Sequence, residues 1–496
     1  MKRSAGILLS ITSLPSKYGI GAFSDTAYRF IDWLKEAGQT YWQILPIGVT
    51  GFGDSPYQSF STFAGNPYMI SLEELINDGL LSQELCDMTD FGNNIERIDY
   101  HKLYKERYKL LRIAYENDNL QKEDFRIFEQ ENSFWLEDYA LFMAIKDSQG
   151  GKPFFEWDCK LKLRDKEALE DCRRNFFDNI LFHKYIQYKF YLQWNKMKAY
   201  ANKNGIKIIG DIPIYVAHDS SDVWGNPELF YLDSDMTPKA VAGCPPDGFS
   251  ETGQLWGNPL YNWEYHKNTG YSWWKLRLKY ALQVYDVVRI DHFRGFESFY
   301  SIPYGDDTAV NGKWEKGPGA ELFEKAYDVT DKDKIIAEDL GYMTDSVKQM
   351  LKECGFPGMK VVQFAFDSRD SDGANEHLPH LYNRNSVVYT GTHDNQTIVS
   401  WFKTISNEER NNVRNYLFDN NISDESIYKS IIALAMRSVA DCCIIPMQDW
   451  LGLDDFARMN TPSSIGGNWQ WRLNSIPNSD LAREIKTITA TFGRIA

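Results

Sequence analysis

Three acidic residues, Asp291, Glu338 and Asp394, stand at the ends of apolar stretches of the sequence. The stretches before them read Val-Val-Arg-Ile, Ile-Ile-Ala and Val-Val-Tyr-Thr-Gly-Thr-His. Such β-branched runs favour buried parallel strands, and an acid at the end of each would emerge where the strand meets solvent. One such acid is often only a helix N-cap. Three in order, with Arg289 and two histidines beside them, instead indicate a carboxylate site that cleaves sugar chains.

The first two acids have different expected roles. Arg289 and Asp291 are two residues apart on a strand and point to the same face, so the guanidinium should hold the pKa of Asp291 low. Asp291 would then stay ionised, as a nucleophile must; a structural ion pair is the alternative. Glu338 should have a raised pKa because it lies near two other carboxylates in a site that excludes water, as a general acid needs. Its neighbour Asp339 is the rival, but one residue further on it should face away.

The third acid, Asp394, belongs to the segment 390–396, in which Gly391 permits a close approach of the backbone. We expect Asp394 to hydrogen-bond the sugar hydroxyls beside the reacting carbon, and His393 to donate to the same ring. An isolated His-Asp pair is a weak signal. Its position after the seventh predicted strand is what gives it weight.

The elements that must position these residues alternate along the chain. Strand-like runs are predicted at 6–10, 40–47, 206–214, 286–292, 334–340, 360–366, 386–392 and 442–447. Amphipathic helices are predicted at 25–37, 133–146, 178–203, 272–285, 344–354 and 427–440. This order predicts an α/β fold, a TIM (β/α)8 barrel, whose strands end at one shared active-site mouth.

The uneven spacing of the strands predicts insertions within one catalytic barrel that spans residues 1–496. A helical insertion subdomain is expected at 48–177, after strand 2. A loop-rich insertion, rich in Gly, Pro, Trp and Asn and poor in helix signals, is expected at 217–271 after strand 3, as a lid over the substrate. About fifty residues follow strand 8, too few for a C-terminal β-sandwich domain beside the closing helix.

The composition excludes several classes of partner. The 496 residues include 69 Asp and Glu against 54 Lys and Arg, a formal net charge of −15. This charge repels polyanions, so we expect no nucleic acid and no membrane as partners and favour an uncharged substrate. The seven cysteines are scattered without a C-x-x-C pair, which favours a cytoplasmic protein over a disulfide framework or zinc site. No stretch approaches the ~20 apolar residues of a membrane span.

Specific motifs are distributed along nearly the whole chain. They read Gly53-Asp-Ser-Pro-Tyr-Gln58, Gly65-Asn-Pro-Tyr68, Gly210-Asp-Ile-Pro-Ile-Tyr215, Gly253-Gln-Leu-Trp-Gly-Asn-Pro259, Arg289-Ile-Asp-His292, Gly391-Thr-His-Asp-Asn395 and Gly467-Asn-Trp-Gln-Trp471. Together these motifs resemble those of the 4-α-glucanotransferases, the amylomaltase or disproportionating-enzyme branch of the α-amylase superfamily.

This resemblance implies that Asp291 is the nucleophile, Glu338 the acid/base and Asp394 the transition-state stabiliser. The residues expected to bind substrate lie around the attacked glucose or on a closing loop: Tyr57, Asp211, Gln254, Trp256, Arg289, His292, His393 and Asn460. The closing loop, residues 247–256, is expected to cover the donor and acceptor chains, with Phe249 as a further closing side chain.

The implied activity is the retaining transfer of α-1,4-glucan segments from a maltooligosaccharide to the 4-hydroxyl of an acceptor glucan or glucose, through a covalent glycosyl-aspartate. An α-1,4-glucan hydrolase and a non-catalytic glucan-binding protein are the alternatives. We expect no cofactor. We also expect no metal, because Tyr215 and Val216 occupy positions where other superfamily members carry an Asn-His pair associated with calcium. The oligomeric state stays open.

Overall fold

The computed structural model of the chain describes residues 1–246, 250–341, 343–368, 375–418, 423–464 and 466–495. In this part of the chain, no helix is long and apolar enough to cross a membrane.

The described residues form a closed barrel of eight parallel strands, which confirms the predicted TIM barrel. In chain order the strands are β1 (Ser4–Leu8), β2 (Tyr41–Gln43), β3 (Lys207–Pro213), β4 (Val287–Asp291), β5 (Ile335–Ala337), β6 (Gly358–Val361), β7 (Ser386–Tyr389) and β8 (Cys442–Pro446). Each strand pairs with the next, and β8 closes the barrel by pairing in parallel with β1. The strands are rich in buried Val and Ile, as burial on both faces of a parallel sheet requires.

The sixth strand differs from its prediction. It begins at Gly358 and ends at Val361, and the apolar residues that follow form a 3-10 helix, Val362–Phe366. The prediction of a strand at 360–366 was wrong there, because a short apolar run suits a buried helical turn as well as a strand.

Helices surround the barrel, and those predicted at 25–37, 178–203, 272–285, 344–354 and 427–440 match to within three residues at their ends. No bounds were predicted for the others. The helices are Asp25–Glu36 after β1, Phe177–Lys203 before β3, Ser272–Val284 before β4, Ala320–Ala326 before β5, Asp345–Cys354 after β5, Ile398–Thr404, Asn407–Leu417 and Ile427–Arg437 after β7, and Met447–Trp450 and Ser479–Thr491 after β8. The apolar stripe of Asp25–Glu36, for example, buries Phe30, Ile31 and Leu34.

The long connection between β2 and β3 is helical. Its helices are Leu72–Asn77, Gln83–Met88, Tyr100–Asn117, Glu123–Glu131, Ser133–Ser148, Cys159–Lys162 and Lys166–Asn175. A buried ion pair joins this connection to the barrel helix that follows, since Lys189 Nζ lies 2.7 Å from Asp118 Oδ2. The helical connection is therefore anchored beside the barrel rather than attached by its ends alone.

The connection between β3 and β4 holds more regular structure than its composition indicates. Its two strands, Ala240–Cys244 and Gln254–Pro259, join Ser298–Pro303 and Lys313–Lys316 from the β4–β5 connection in a four-stranded antiparallel sheet. Short helices at Ser221–Gly225 and Trp263–Asn268 flank these strands. The composition of 217–271 did not indicate these strands, because Ala240–Cys244 pairs with Ser298–Pro303, which lies on another connection.

Candidate active site

A buried guanidinium lies at the centre of the carboxyl end of the barrel. Arg289 Nη1 donates to both carboxylate oxygens of Asp211, at 2.8 and 2.7 Å, and lies 3.0 Å from Asp291 Oδ1. The register of β3 and β4 sets Asp211 directly beside Arg289. Tyr57 completes the group, because its hydroxyl donates to Asp211 Oδ2 at 2.7 Å. One positive charge is therefore shared between two carboxylates.

The prediction of a low pKa for Asp291 was wrong. Burial, with smaller contributions from the nearby carboxylates Asp211 and Asp394, raises the pKa of Asp291 to about 6. Arg289 acts in the opposite direction but does not outweigh these effects, since its charge is shared with Asp211. At neutral pH Asp291 is still mostly ionised, because its pKa lies below 7.

Glu338 is the first residue after β5 and is held by two backbone donors. Its Oε2 accepts from the His292 N–H and its Oε1 from the Leu340 N–H, each at 2.7 Å. Burial raises the pKa of Glu338 to about 7, and Asp291 adds to this rise against the lowering effect of Arg289 and the two N–H groups. The expectation of a raised pKa is confirmed. The largest cause is burial rather than the neighbouring carboxylate.

His292 has an unusual backbone conformation for a residue with a side chain, at φ 50° and ψ 49°. It directly follows β4, and its N–H reaches Glu338 on the next strand end. Burial lowers the pKa of the His292 imidazole to about 3, so the ring is neutral at physiological pH. His292 therefore contributes a backbone hydrogen bond and an uncharged ring to the site.

Asp339, the rival of Glu338, binds a different part of the barrel. Its Oδ1 accepts from the Met359 N–H of β6 at 2.5 Å. Burial raises its pKa to about 6, against the lowering effect of Lys360. As expected, Asp339 does not share the surroundings of Glu338, and its contacts connect β5 to β6.

Asp394 lies in the segment after β7, five residues past the last strand residue, Tyr389. Its Oδ1 accepts from Asn460 Nδ2 at 2.6 Å, and its Oδ2 lies 3.4 Å from His393 Nε2. Arg458 donates to the Asp394 carbonyl oxygen at 2.7 Å. The carboxylate remains partly exposed, at 42%, so a ligand in the cleft can reach it. The sequence interpretation missed Arg458, which carried no motif signal.

An aromatic group connects the Tyr57 and Asp394 sides of the cleft. The rings of Tyr57 and His393 stack with centroids 5.2 Å apart and an interplanar angle of 16°. Trp469 lies within 6 Å of both, at 5.8 Å from Tyr57 and 5.9 Å from His393. Trp469 belongs to the motif at 467–471, but no role was assigned to it from the sequence.

Gln254 and Trp256 lie on the strand of the small sheet that adjoins the cleft. Trp256 Nε1 donates to Gln254 Oε1 at 3.1 Å, and the indole meets the His292 ring edge to face at 4.8 Å. Both side chains are half-buried. Phe249, the other expected closing residue, lies outside the described residues.

The arrangement brings the predicted acids together with the predicted binding residues in one cleft. Two carboxyl groups with different pKa values on adjacent strand ends, and a third held by an amide, are suited to breaking a glycosidic bond. Within the described ranges, no group of three His, Cys, Asp or Glu residues is placed to hold a metal ion.

A (β/α)8 barrel with one acid at the end of β4 and others after β5 and β7 is typical of a carbohydrate-active barrel enzyme. Residues 9–478 match the model of glycoside hydrolase family 77, described as 4-α-glucanotransferase. The chain belongs to this family.

Full-length relatives support the assignment. The chain is 47% identical over 491 residues to the 4-α-glucanotransferase of Clostridium butyricum, covering 98% of this chain and 100% of the relative. It is 48% identical over 500 residues to that of Streptococcus pneumoniae, covering 100% and 98%. The amylomaltase of Streptococcus agalactiae, solved in complex with acarbose, superposes with a TM-score of 0.96 at 42% identity, covering 100% of both chains.

Proposed function

We propose that the protein is a retaining 4-α-glucanotransferase that moves α-1,4-glucan segments from a donor maltooligosaccharide to the 4-hydroxyl of an acceptor glucan or glucose. The observation that carries this proposal is the pair Asp291 and Glu338. They lie on adjacent strand ends, with pKa values of about 6 and 7, and the peptide N–H next to Asp291 binds Glu338. At neutral pH one is mostly ionised while the other still carries its proton in a large fraction of molecules.

The first chemical step forms the glycosyl-enzyme. A carboxylate oxygen of Asp291 attacks the anomeric carbon of the donor while the bond from that carbon to the glycosidic oxygen breaks. Glu338 transfers its proton to the departing oxygen, which leaves as the 4-hydroxyl of the shortened chain. The products of this step are a glucosyl ester of Asp291 and an ionised Glu338.

The second step reverses these roles. Glu338, now a base, takes the proton of an acceptor 4-hydroxyl, whose oxygen attacks the anomeric carbon and displaces the Asp291 carboxylate. Two displacements at the same carbon restore its configuration. Retaining enzymes need their two carboxyl groups about 5–5.5 Å apart, a separation that we expect for Asp291 and Glu338.

The remaining cleft residues bind and stabilise the reacting glucose. Asp394 is held by Asn460 and lies beside His393. Hydrogen bonds from the sugar hydroxyls to the Asp394 carboxylate would strengthen as positive charge develops on the sugar. The Tyr57, Asp211 and Arg289 network keeps the nucleophile oriented and lines the subsite beside it.

Whether the glycosyl-enzyme undergoes transfer or hydrolysis depends on the residues that bind the acceptor. Water at about 55 M competes for the glycosyl-enzyme, but an oriented acceptor hydroxyl can reach far higher effective molarities. Gln254 and Trp256 lie beside His292, where they could shield the ester from water and hold an acceptor. We assign closure to the insertion at 217–271, on a single catalytic barrel that also carries the helical subdomain at 48–177.

The expected partners are therefore α-1,4-glucans and glucose. Cys86, Cys159, Cys172, Cys354, Cys442 and Cys443 are free thiols, a state that the reducing cytoplasm maintains, and we propose that the protein resides in that compartment.

Incubation of the purified protein with maltotriose, without metal or cofactor, should give a ladder of longer maltooligosaccharides together with glucose. Chromatography over time resolves these products by chain length. Asp291→Asn should fold normally and produce no ladder, because the nucleophile is lost. Maltose and glucose as sole products would identify a hydrolase, and unchanged maltotriose would favour a binding protein.

The pH profile of kcat/KM should be bell-shaped. Activity should fall as the pH drops below about 6, because Asp291 becomes protonated, and as it rises above about 7, because Glu338 loses its proton. The apparent pKa values of the two limbs belong to the coupled pair Asp291 and Glu338 and not to either residue alone. With an α-maltosyl fluoride donor, whose leaving group needs no proton, the basic limb of glycosylation should weaken. A basic limb identical for fluoride and maltotriose would contradict the role of Glu338.

Trp256→Ala should raise the ratio of hydrolysis to transfer, because removal of the indole opens the acceptor side to water. The ratio is measured from reducing ends released per transferred glucosyl unit. Trp314→Ala is a matched control, since Trp314 lies on the same small sheet and is 40% exposed. Equal ratios in both variants and the parent protein would refute the shielding role of Trp256.

A further inference from the structure

The segment that carries His393 and Asp394 is an eight-residue connection, residues 390–397, between β7 and helix Ile398–Thr404. A connection without regular structure has its conformation fixed by its contacts. Asn460 and Arg458 hold Asp394 from outside the segment, and the two ends of the segment need a further contact.

Asp449 supplies that contact at both ends of the segment. It belongs to the short helix Met447–Trp450 after β8 and is 2% exposed. Its Oδ2 accepts from the Thr390 hydroxyl at 2.6 Å, and its Oδ1 accepts from the Ile398 N–H at 2.8 Å. One carboxylate thus binds the first residue of the segment and the first residue of the helix that follows it.

The charge of Asp449 makes these two hydrogen bonds more important. Burial raises its pKa to about 6, and no cation among the described residues contributes to that value. A buried carboxylate without a cation is costly unless donors compensate it, and hydrogen bonds to a charged acceptor are shorter and stronger than neutral ones. Loss of either donor would leave a charged oxygen without compensation.

Packing alone does not fix this segment. A small pocket borders part of it and is lined by His393 and Asn395 of the segment and by Ser10 and Gln448 from other parts of the chain. Within the segment, Asn395 Oδ1 accepts from the Thr392 N–H at 2.8 Å. That bond shapes the middle of the segment but does not connect it to the barrel.

We propose that Asp449 is a positioning residue that fixes both ends of the segment 390–397 and thereby sets the position of the Asp394 carboxylate for transition-state stabilisation. This inference rests on the proposed function of Asp394. Asp449 itself lies beneath the segment and acts through Thr390 and Ile398.

The test is Thr390→Val, which keeps the side-chain shape but removes the hydroxyl that donates to Asp449. We expect kcat for maltotriose transfer to fall about tenfold, equivalent to about 1.4 kcal/mol of transition-state stabilisation, with KM changed less than about twofold. Thr390→Ser retains the hydroxyl and should restore kcat. Steady-state kinetics and thermal unfolding are measured for each variant.

Thr489→Val is the matched control. Thr489 is buried in the last helix, where its hydroxyl donates to the Ile485 carbonyl and accepts from Gln39. The Thr489→Val substitution should lower the unfolding temperature without lowering kcat. A loss of kcat in Thr390→Val no larger than in Thr489→Val, or one that Thr390→Ser does not restore, would overturn the proposal.

The Asp449→Ala variant completes the cycle. If the hydrogen bond between Thr390 and Asp449 is responsible for the loss of kcat, Thr390→Val causes no further loss in the Asp449→Ala protein. Additive losses would overturn the proposal. Should Asp449→Ala fail to fold, the Val and Ser variants of Thr390 decide the question. Full activity of Asp394→Asn would refute the proposed function itself, and the two failures are therefore distinguishable.

Discussion

The structure of the site depends on one buried positive charge. Arg289 is 3% exposed and binds both oxygens of Asp211 while it pairs with Asp291. Removing one partner of a buried ion pair typically costs about 3–5 kcal/mol, because the remaining charge is left without compensation. The need to keep these charges paired accounts for the register that sets β3 beside β4. It also accounts for the position of the Tyr57 hydroxyl and the orientation of the proposed nucleophile. Burial, together with this sharing, explains why Arg289 does not hold the pKa of Asp291 low.

The backbone then separates the two reacting carboxyl groups. Asp291 ends β4, and the N–H of the next residue, His292, which has a left-handed backbone conformation, donates to the Glu338 carboxylate. Burial raises the pKa of both acids, and the guanidinium of Arg289 lowers the pKa of both. The two backbone N–H groups hold the Glu338 carboxyl beside Asp291, so the two acids titrate as one coupled pair.

The sequence was sufficient to predict the barrel and the residues at its strand ends. Runs of β-branched residues indicate local burial, and acids after them indicate exposure at the carboxyl end of the barrel. It was insufficient wherever the structure depends on distant partners. Three such contacts join separate parts of the chain. Strand Ala240–Cys244 pairs with Ser298–Pro303, Arg289 donates to Asp211, and Arg458 and Asn460 donate to Asp394. No local pattern encodes such contacts.

Asp291 should become covalently glycosylated during turnover, and this ester can be trapped. Glu338→Gln lacks the base for the second step, whereas an α-maltotriosyl fluoride donor needs no acid for the first, so the ester should accumulate. Mass spectrometry of the digested protein should find a maltotriosyl adduct on the peptide that contains Asp291. An adduct on another carboxyl residue, or release of fluoride with inversion and without an adduct, would contradict the account.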